Sequence, residues 1–205
     1  MSTSLKIERQ NGNVVKALPG EDHITGFMAY LATGDIPAGF KSEHVQALSS
    51  IEAAEAAGII DHTTGADGEE TPAAWGLRVI HYHLSEIYRL NPGVSLYVGI
   101  FEKPTGSNMT FAEIKTVQNY AGSRIRQMGV WCGDRALSED DLVTLQGIGD
   151  NLAESAGELS IIYAPKVDSV QTLPTDIAGG GKNRVSVVIG QAGSCLLYTS
   201  PSPRD

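Results

Sequence analysis

Cysteine, aromatic residues and long hydrophobic runs are all scarce in this sequence. Its 205 residues include two cysteines, Cys132 and Cys195, whose separation fits neither a paired zinc-ligand spacing nor a disulfide framework. No segment approaches the roughly 20 apolar residues that a membrane-spanning helix needs, and the N-terminus lacks the apolar core of a signal peptide. These absences argue against a secreted disulfide scaffold and a membrane protein, and they favour synthesis in a reducing cytosol.

Basic residues are also few. The chain has 15 Lys and Arg against 24 Asp and Glu, for a formal net charge of −9, and the basic residues are scattered. Nucleic acids and anionic membranes are bound by clustered Lys and Arg, so we expect neither among the partners. The composition, 41% hydrophobic and 19% charged, is typical of a globular chain long enough to bury a core.

The beginning of the chain differs from the rest. Residues 1–17 are mostly polar, and Leu5, Ile7, Val14 and Val15 lie on either side of an Asn-Gly-Asn turn signal, which predicts a loose hairpin or an extended arm able to bind a neighbouring subunit. The predicted organisation is an arm at residues 1–17, the first part of a domain at 18–60, an exposed loop at 61–71, an α/β core at 72–194 and a non-native tail at 195–205.

Strand and helix patterns alternate after the arm. Apolar runs predict buried strands at residues 24–31, 94–101, 129–132, 159–163 and 185–190. Apolar residues at spacings of three and four predict helices after residue 49, from 72 to about 90, from 110 towards Gly129, and after Ser138. The alternation predicts an α/β fold with a largely parallel sheet, flanking helices and right-handed crossovers.

Capping patterns set the expected helix starts. Pro72 fits the first position of its helix, and Ser138 fits the N-cap of a helix whose acidic first turn suits the positive end of the helix dipole. The pairs that match a capping box are Ser49 with Glu52 and Thr110 with Glu113. The acidic first turn consists of Glu139, Asp140 and Asp141.

A Gly-rich segment near residue 180 only partly matches a phosphate loop. Three glycines precede Lys182, but a phosphate loop needs Ser or Thr after the Lys and then a helix, whereas Asn183 and a predicted strand follow here. A plain flexible turn is therefore the expected structure, and no nucleotide cofactor is indicated.

The histidines do not form a metal-binding pattern. His81 and His83 point in different directions on a helix. The other histidines lie in separate segments without carboxylates at ligand spacing, and they are His23, His44 and His62. The sequence therefore indicates no metal site.

Cys132 is expected to be a buried structural thiol, because no histidine motif supplies the base that a nucleophile needs. Loops after parallel strands do hold ligand sites in α/β proteins. The alternative function is therefore a small ligand-binding or enzymatic domain with a site at residues 103–105, 132–134 and 165–166. With no catalytic set evident, we expect a non-enzymatic protein.

Several segments, taken in order, resemble sheath-like tail proteins of bacteroidete prophages. The most specific is His81-Tyr82-His83-Leu84-Ser85, which continues to Arg89. The segments that carry the resemblance are residues 18–26, 81–89, 92–99, 111–118, 125–130, 164–165 and 183–191. Members of that family usually continue further, and residues 196–205 resemble translated sequencing-adaptor DNA, so we expect this chain to be an N-terminal part.

The resemblance implies a structural subunit of a contractile phage tail sheath. Such a subunit forms a helical homopolymer around the tail tube protein, meets baseplate and terminator proteins, and contracts during injection without a cofactor. It would be found in the bacterial host cytoplasm during assembly and then in the virion tail. A tail terminator or baseplate protein, which forms closed rings, is a further alternative.

Overall fold

The computed structural model describes residues 24–104, 109–155, 157–167, 173 and 182–191. The strands are β1 (Thr25–Leu31), β2 (Val45–Leu48), β3 (His62–Thr64), β4 (Glu70–Pro72), β5 (Leu96–Glu102), β6 (Gln127–Ala136), β7 (Ser160–Val167), β8 (Val185–Val187) and β9 (Gly190–Gln191). The helices are α1 (Ile51–Ala56), α2 (Trp75–Leu90), α3 (Glu113–Tyr120) and α4 (Glu139–Glu154), with short 3-10 turns at Thr33–Asp35 and Ala38–Phe40.

The main sheet is mixed and mostly parallel, as predicted. Its strand order is β2-β5-β1-β6-β7-β8, and β9 also pairs with β7. All of these pairings are parallel except that of β2 with β5. The antiparallel strand β2 was not predicted from the sequence, because its four residues are too short for a periodic signal. The predicted α/β class is therefore confirmed, and the strands on either side of residues 61–71 belong to one sheet.

Strand β1 lies in the middle of the sheet because it is apolar on both faces. It pairs with β5 on one side and β6 on the other, so that Phe27 lies opposite both Val98 and Gly129. Met28 and Tyr30 pack on the face covered by α3 and α4, whereas Ala29 and Leu31 pack on the face covered by α1 and α2. A strand buried on both faces is expected to be a continuous apolar run.

Helix α3 approaches the sheet closely at a glycine of β5. A Cβ atom at Gly99 would lie 2.7 Å from Val117 Cγ2 and 2.8 Å from the ring of Phe101. The absence of a side chain at this position therefore lets α3 pack directly on the central strands. Helix α4 covers the same face with Leu142, Leu145 and Leu152.

Three predicted helix starts are wrong, and two of them are the starts predicted from capping-box patterns. The N-cap of α1 is Ser50, whose Oγ accepts a hydrogen bond from the backbone N–H of Ala53 at 3.2 Å, and not Ser49. Helix α3 begins at Glu113 with no side-chain cap, because Phe111 takes a positive φ of 50° and the chain turns there instead of at Thr110. The predicted end of α1 is confirmed, since Gly58 follows it with a φ of 92°.

The segment predicted as an exposed loop forms an exposed hairpin. Strands β3 and β4 pair antiparallel, with His62 opposite Pro72, and every residue in them is exposed. Pro72 therefore ends a strand, and α2 begins three residues later, at Trp75. The predicted end of α2 at Leu90 is confirmed.

The predicted third helix is too long. Helix α3 ends at Tyr120, and Gly122 and Ser123 both adopt positive φ, which stops the helix. Ile125 follows in a connection and is fully buried, so its apolar character reflects the core and not a helix face. Strand β6 accordingly begins at Gln127 and extends to Ala136.

The longest helices are α2 and α4, with 16 residues each. Within the described ranges, neither these nor any other helix combines the length and hydrophobicity needed to cross a bilayer.

Candidate functional site

The predicted inter-subunit arm lies outside the described residues. This applies to Leu5, Ile7, Val14 and Val15, the residues that the sequence nominates for contact with a neighbour. What the structure does describe is the surface available to receive such a segment.

Strand β8 forms one end of the main sheet, although the sequence predicted a buried strand. Arg184 O accepts a hydrogen bond from Ile161 N, and Val188 N donates to Tyr163 O, both at 2.8 Å. Main-chain groups alternate sides along a strand, so those of Val185 and Val187 point away from β7. Among the described residues no strand pairs with that outer edge.

Apolar side chains accompany this open edge. Val188 and Ile189, directly after β8, are 52% and 40% exposed. The segment 185–189 is rich in β-branched residues, which favour strand pairing. An edge with this composition is a template for another strand.

Polar contacts from α4 hold the segment that leads into β8. Gln146 Oε1 accepts a hydrogen bond from Arg184 N, and Gln146 Nε2 donates to Asn183 Oδ1, both at 3.0 Å. Arg184 Nε donates to Asp150 Oδ1 at 3.0 Å. We call these contacts between α4 and residues 183–184 the α4 clasp.

The lysine that follows the Gly-rich segment pairs with α4. Residues 179–181 lie outside the described ranges, but Lys182 Nζ lies 3.6 Å from Glu139 Oε1. The next element is strand β8 and not a helix, as the sequence predicts. Lys182 therefore pairs with α4, which adds a contact beside the α4 clasp.

Two residues of the alternative ligand site form an ion pair with each other. Lys103, after β5, forms a salt bridge with Asp134 of β6. That contact lowers the pKa of Asp134, through the hydrogen bond and charge of Lys103. Lys166 also has a partner, and Thr105 lies outside the described residues.

Cys132 is a buried thiol, in agreement with its predicted structural role. It is fully buried on the α3 and α4 side of the sheet. Burial, reinforced by the negative charge of Asp141, raises its pKa to about 12. Because the thiolate is the nucleophilic form, this side chain is unreactive at neutral pH.

Asp141 connects three elements behind these strand ends. Its carboxylate accepts hydrogen bonds from Arg135 Nε at 2.7 Å and Arg135 Nη2 at 2.6 Å, and from Tyr163 Oη at 3.0 Å. The sequence interpretation of the acidic first turn as a helix-dipole feature is therefore incomplete, since Asp141 is 2% exposed and bridges β6, α4 and β7. A cavity of about 320 Å³ lies beside Arg135, Ser138 and Asp141.

A larger cleft separates the hairpin from α2. It has a volume of about 520 Å³, and we call it the hairpin cleft. Its walls come from the β3–β4 hairpin and its approach on one side, and from one face of α2 on the other. The lining residues are Asp61, His62, Glu70, Pro72, Arg78, Val79, His81, Tyr82 and Ser85.

Histidines and carboxylates meet in this cleft, a cluster that the sequence analysis did not identify. His62 Nδ1 is 2.5 Å from Asp61 Oδ1, and His62 Nε2 is 3.8 Å from Glu70 Oε1. His81 Nε2 is 2.9 Å from Glu55 Oε1 of α1. Sequence spacing missed this cluster because the hairpin brings its members together, and the Asp67-Gly68 turn signal that could have predicted the hairpin was not used. In the part of the chain that the structure describes, no group of His, Cys, Asp and Glu has metal-binding geometry.

Large aromatic side chains lie at the surface of α2. Trp75 is 51% exposed and lies against Trp131, with ring centroids 5.5 Å apart. Tyr82, seven residues further along the same face, is 41% exposed. Tyr88, by contrast, is buried. Trp75 and Tyr82 are thus surface residues of α2, whereas Tyr88 belongs to the core.

Known proteins give no further guide. No family model, curated protein or solved structure matches this chain. Its function must therefore be inferred from its own residues and their geometry.

Proposed function

We propose that this chain is a structural subunit of a contractile phage tail sheath, which polymerises around a tail tube and contracts during injection. The observation that carries the proposal is the outer edge of β8, which no described strand covers, followed by exposed Val188 and Ile189. A subunit linked to its neighbours by strand addition needs such an edge. The predicted arm, residues 1–17, supplies the extended segment that would pair with it.

The positions of the resembling segments support the same proposal. Residues 81–89 lie in α2, residues 92–99 lead into and fill most of β5, and residues 111–118 lead into α3. Residues 183–191 include part of the α4 clasp together with β8 and β9. The resemblance therefore falls on the elements that build the core and present the open edge, and not on a peripheral loop.

Strand addition suits a machine that changes shape. Main-chain hydrogen bonds between an arm and a neighbour's sheet move with both partners, so the link survives large rigid-body motion. Head-to-tail contacts that do not close generate helical arrays. Contraction is then a switch between two packings of the same subunits, which requires no cofactor. The partners in this proposal are further copies, a tail tube protein, and baseplate and terminator proteins, first in the host cytoplasm and then in the virion tail.

The ligand-binding or enzymatic alternative has less support at the strand ends. Lys103 and Asp134 pair with each other, and Cys132 is buried with a raised pKa. A terminator or baseplate protein is a closer alternative, because it can use the same edge. It differs in forming closed rings of fixed size.

The test uses a proline on the outer edge of β8. The N–H of Val187 points away from β7, so Val187→Pro removes an outward donor while keeping the β7–β8 hydrogen bonds. We expect the unaltered chain to form extended helical polymers, measured by electron microscopy and sedimentation. Val187→Pro and deletion of residues 1–17 should each leave folded, unpolymerised protein.

The matched control is Val187→Thr, at the same position of the same strand. Threonine keeps the β-branched shape and the main-chain N–H that proline removes, so this variant should still form polymers. Closed rings of constant size would favour a terminator or baseplate protein. A monomer that is unaffected by arm deletion and binds a small molecule saturably would overturn the proposal.

A further inference from the structure

The hairpin cleft has an acidic rim. The segment 61–71 contains four acidic residues and no Lys or Arg, and two of them, Asp61 and Glu70, line the cleft. Their side chains are 52% and 69% exposed, so both are accessible to a partner. Glu55 of α1 lies behind His81 and adds a further carboxylate.

The basic groups in the cleft already have partners. His62 contacts Asp61 and Glu70, and His81 contacts Glu55. Arg78 also has an interaction of its own. Burial opposes the ionisation of Asp61, but the hydrogen bond from His62 and the charges of His81 and His62 outweigh it and lower its pKa. Asp61 is therefore ionised at neutral pH.

The floor on the α2 side offers anchors for a peptide. Arg78 and Tyr82 line the cleft, and Trp75, which lies outside this lining, is on the same face of the helix three residues before Arg78. Trp, Tyr and Arg are the residue types most enriched at binding hot spots. The exposed ring of Tyr82 can also stack on a cationic side chain. An acidic rim beside an aromatic helix face suits an extended segment that carries both basic and apolar residues.

The start of the chain has that composition. Residues 1–17 hold three basic residues and one acidic residue, together with Leu5, Ile7, Val14 and Val15, whereas the whole chain has a net charge of −9. We propose that the hairpin cleft binds the basic residues of this segment from a neighbouring copy. The basic residues are Lys6, Arg9 and Lys16.

This inference rests on the proposed function, because it assigns a second contact to the same arm. A fully extended segment of 17 residues spans about 56–61 Å, which is long enough for the arm to contact more than one surface element. The basic residues would fix the register of the arm in the cleft. Electrostatic contacts of this kind determine specificity and association rate more than they add affinity.

The experiment reverses charges in the chain that retains its arm. Glu70→Lys should weaken self-association by roughly threefold to tenfold at low salt, since an exposed pair is lost and a repulsion added. The matched control is Glu69→Lys, which makes the same charge change one residue away, outside the cleft lining. Sedimentation velocity at low and high salt measures both.

A charge swap tests the named occupant. Lys6→Glu with Lys16→Glu should weaken association as Glu70→Lys does. Combining these two changes with Asp61→Lys and Glu70→Lys in one chain should restore association, because each pair of opposite charges is rebuilt with its signs exchanged.

Two outcomes would overturn the inference. One is an equal effect of Glu69→Lys and Glu70→Lys, which leaves the proposed function standing if Val187→Pro still abolishes polymers. The other is that the charge reversals in the arm and in the cleft compensate each other in protein that remains a monomer. The arm would then occupy the cleft of its own chain and not that of a neighbour. Tyr82→Ala changes no charge and should also weaken association, so it serves as a second variant where a charge reversal prevents folding.

Discussion

The hydroxyl of Tyr163 donates a hydrogen bond to the carboxylate of Asp141 at 3.0 Å, from β7 to the first turn of α4. The same carboxylate receives two hydrogen bonds from Arg135. Three polar groups are thus satisfied together on the α4 side of the sheet. A buried polar network of this kind stabilises a fold only while every member remains partnered.

Replacing Asp141 should destabilise the protein far more than replacing its exposed neighbour. Asp141→Asn leaves the shape unchanged but removes the negative charge opposite Arg135, and breaking a buried pair costs about 3 kcal/mol. Asp140→Asn, in the same turn, should cost less than about 1 kcal/mol, the limit of a helix-dipole effect. Urea unfolding of both variants measures the difference, and equal losses would mean that the dipole alone accounts for Asp141.

Two buried tyrosines should respond differently to loss of the hydroxyl group. Tyr163→Phe removes a hydrogen bond to a charged acceptor and should cost about 1.5–3 kcal/mol. Tyr88 is also buried, but its hydroxyl has no hydrogen-bond partner among the described residues, and burial raises its pKa to about 12. Tyr88→Phe should therefore be neutral or stabilising in the same unfolding assay. A clear loss with Tyr88→Phe would indicate a bound water or an additional partner.

Cys132 should be protected from alkylation in the folded protein. Its pKa is raised from about 9 to about 12, so the thiolate fraction at pH 8 falls from about one in ten to about one in ten thousand. Iodoacetamide labelling followed by mass spectrometry distinguishes Cys132 from Cys195, and Cys132 should react at least roughly 100-fold more slowly in native protein than in urea. Because the folded state retains the proton, stability should fall as pH rises from about 9 towards 12.

The N-terminus of α1 allows the cap seen in the structure to be tested against the cap predicted from the sequence. Ser50→Ala removes the hydrogen bond to the N–H of Ala53 and should cost about 1 kcal/mol. Ser49→Ala, which the capping-box pattern favours, should change stability by less than about 0.5 kcal/mol because Ser49 is exposed and does not cap the helix. Thermal unfolding of the two variants side by side separates these possibilities.

The sequence predicts the central elements well for a physical reason. Strand β5 is apolar along nearly its whole length, and α2 repeats apolar residues over four turns, so each signal extends over many residues. The positions at which helices and strands begin and end depend instead on single contacts. Thr110 matched a capping pattern, but the positive φ of Phe111 moved the start of α3, and such a backbone choice is set by packing of its fully buried ring.

The candidate surfaces were harder to predict because they depend on contacts between distant residues. The apolar run around Val187 indicates a strand, but only the strand order shows that β8 is at an edge. His62 and His81 lie on the hairpin and on α2, and they meet in one cleft only because of the chain path between them. The sequence therefore identified the strand and the two histidines, whereas the path of the chain determined which residues lie next to them.

The α4 clasp should control how firmly β8 is held. Gln146 is largely buried and bonds both to Arg184 N and to Asn183 Oδ1, so Gln146→Ala leaves the entry to β8 without these contacts. Local opening exposes the hydrogen bond from Val188 N to Tyr163 O, and amide exchange at Val188 should accelerate roughly tenfold, corresponding to about 1.4 kcal/mol.

The control for this prediction is Asn151→Ala, at an exposed position of the same helix, which should leave the exchange rate at Val188 unchanged. If that rate is the same in the Gln146 and Asn151 variants, β8 is retained by its pairing with β7 and not by α4. Variation in the clasp would then not alter how the open edge is presented to a neighbour, because the edge would keep its position whether or not α4 holds the residues before it.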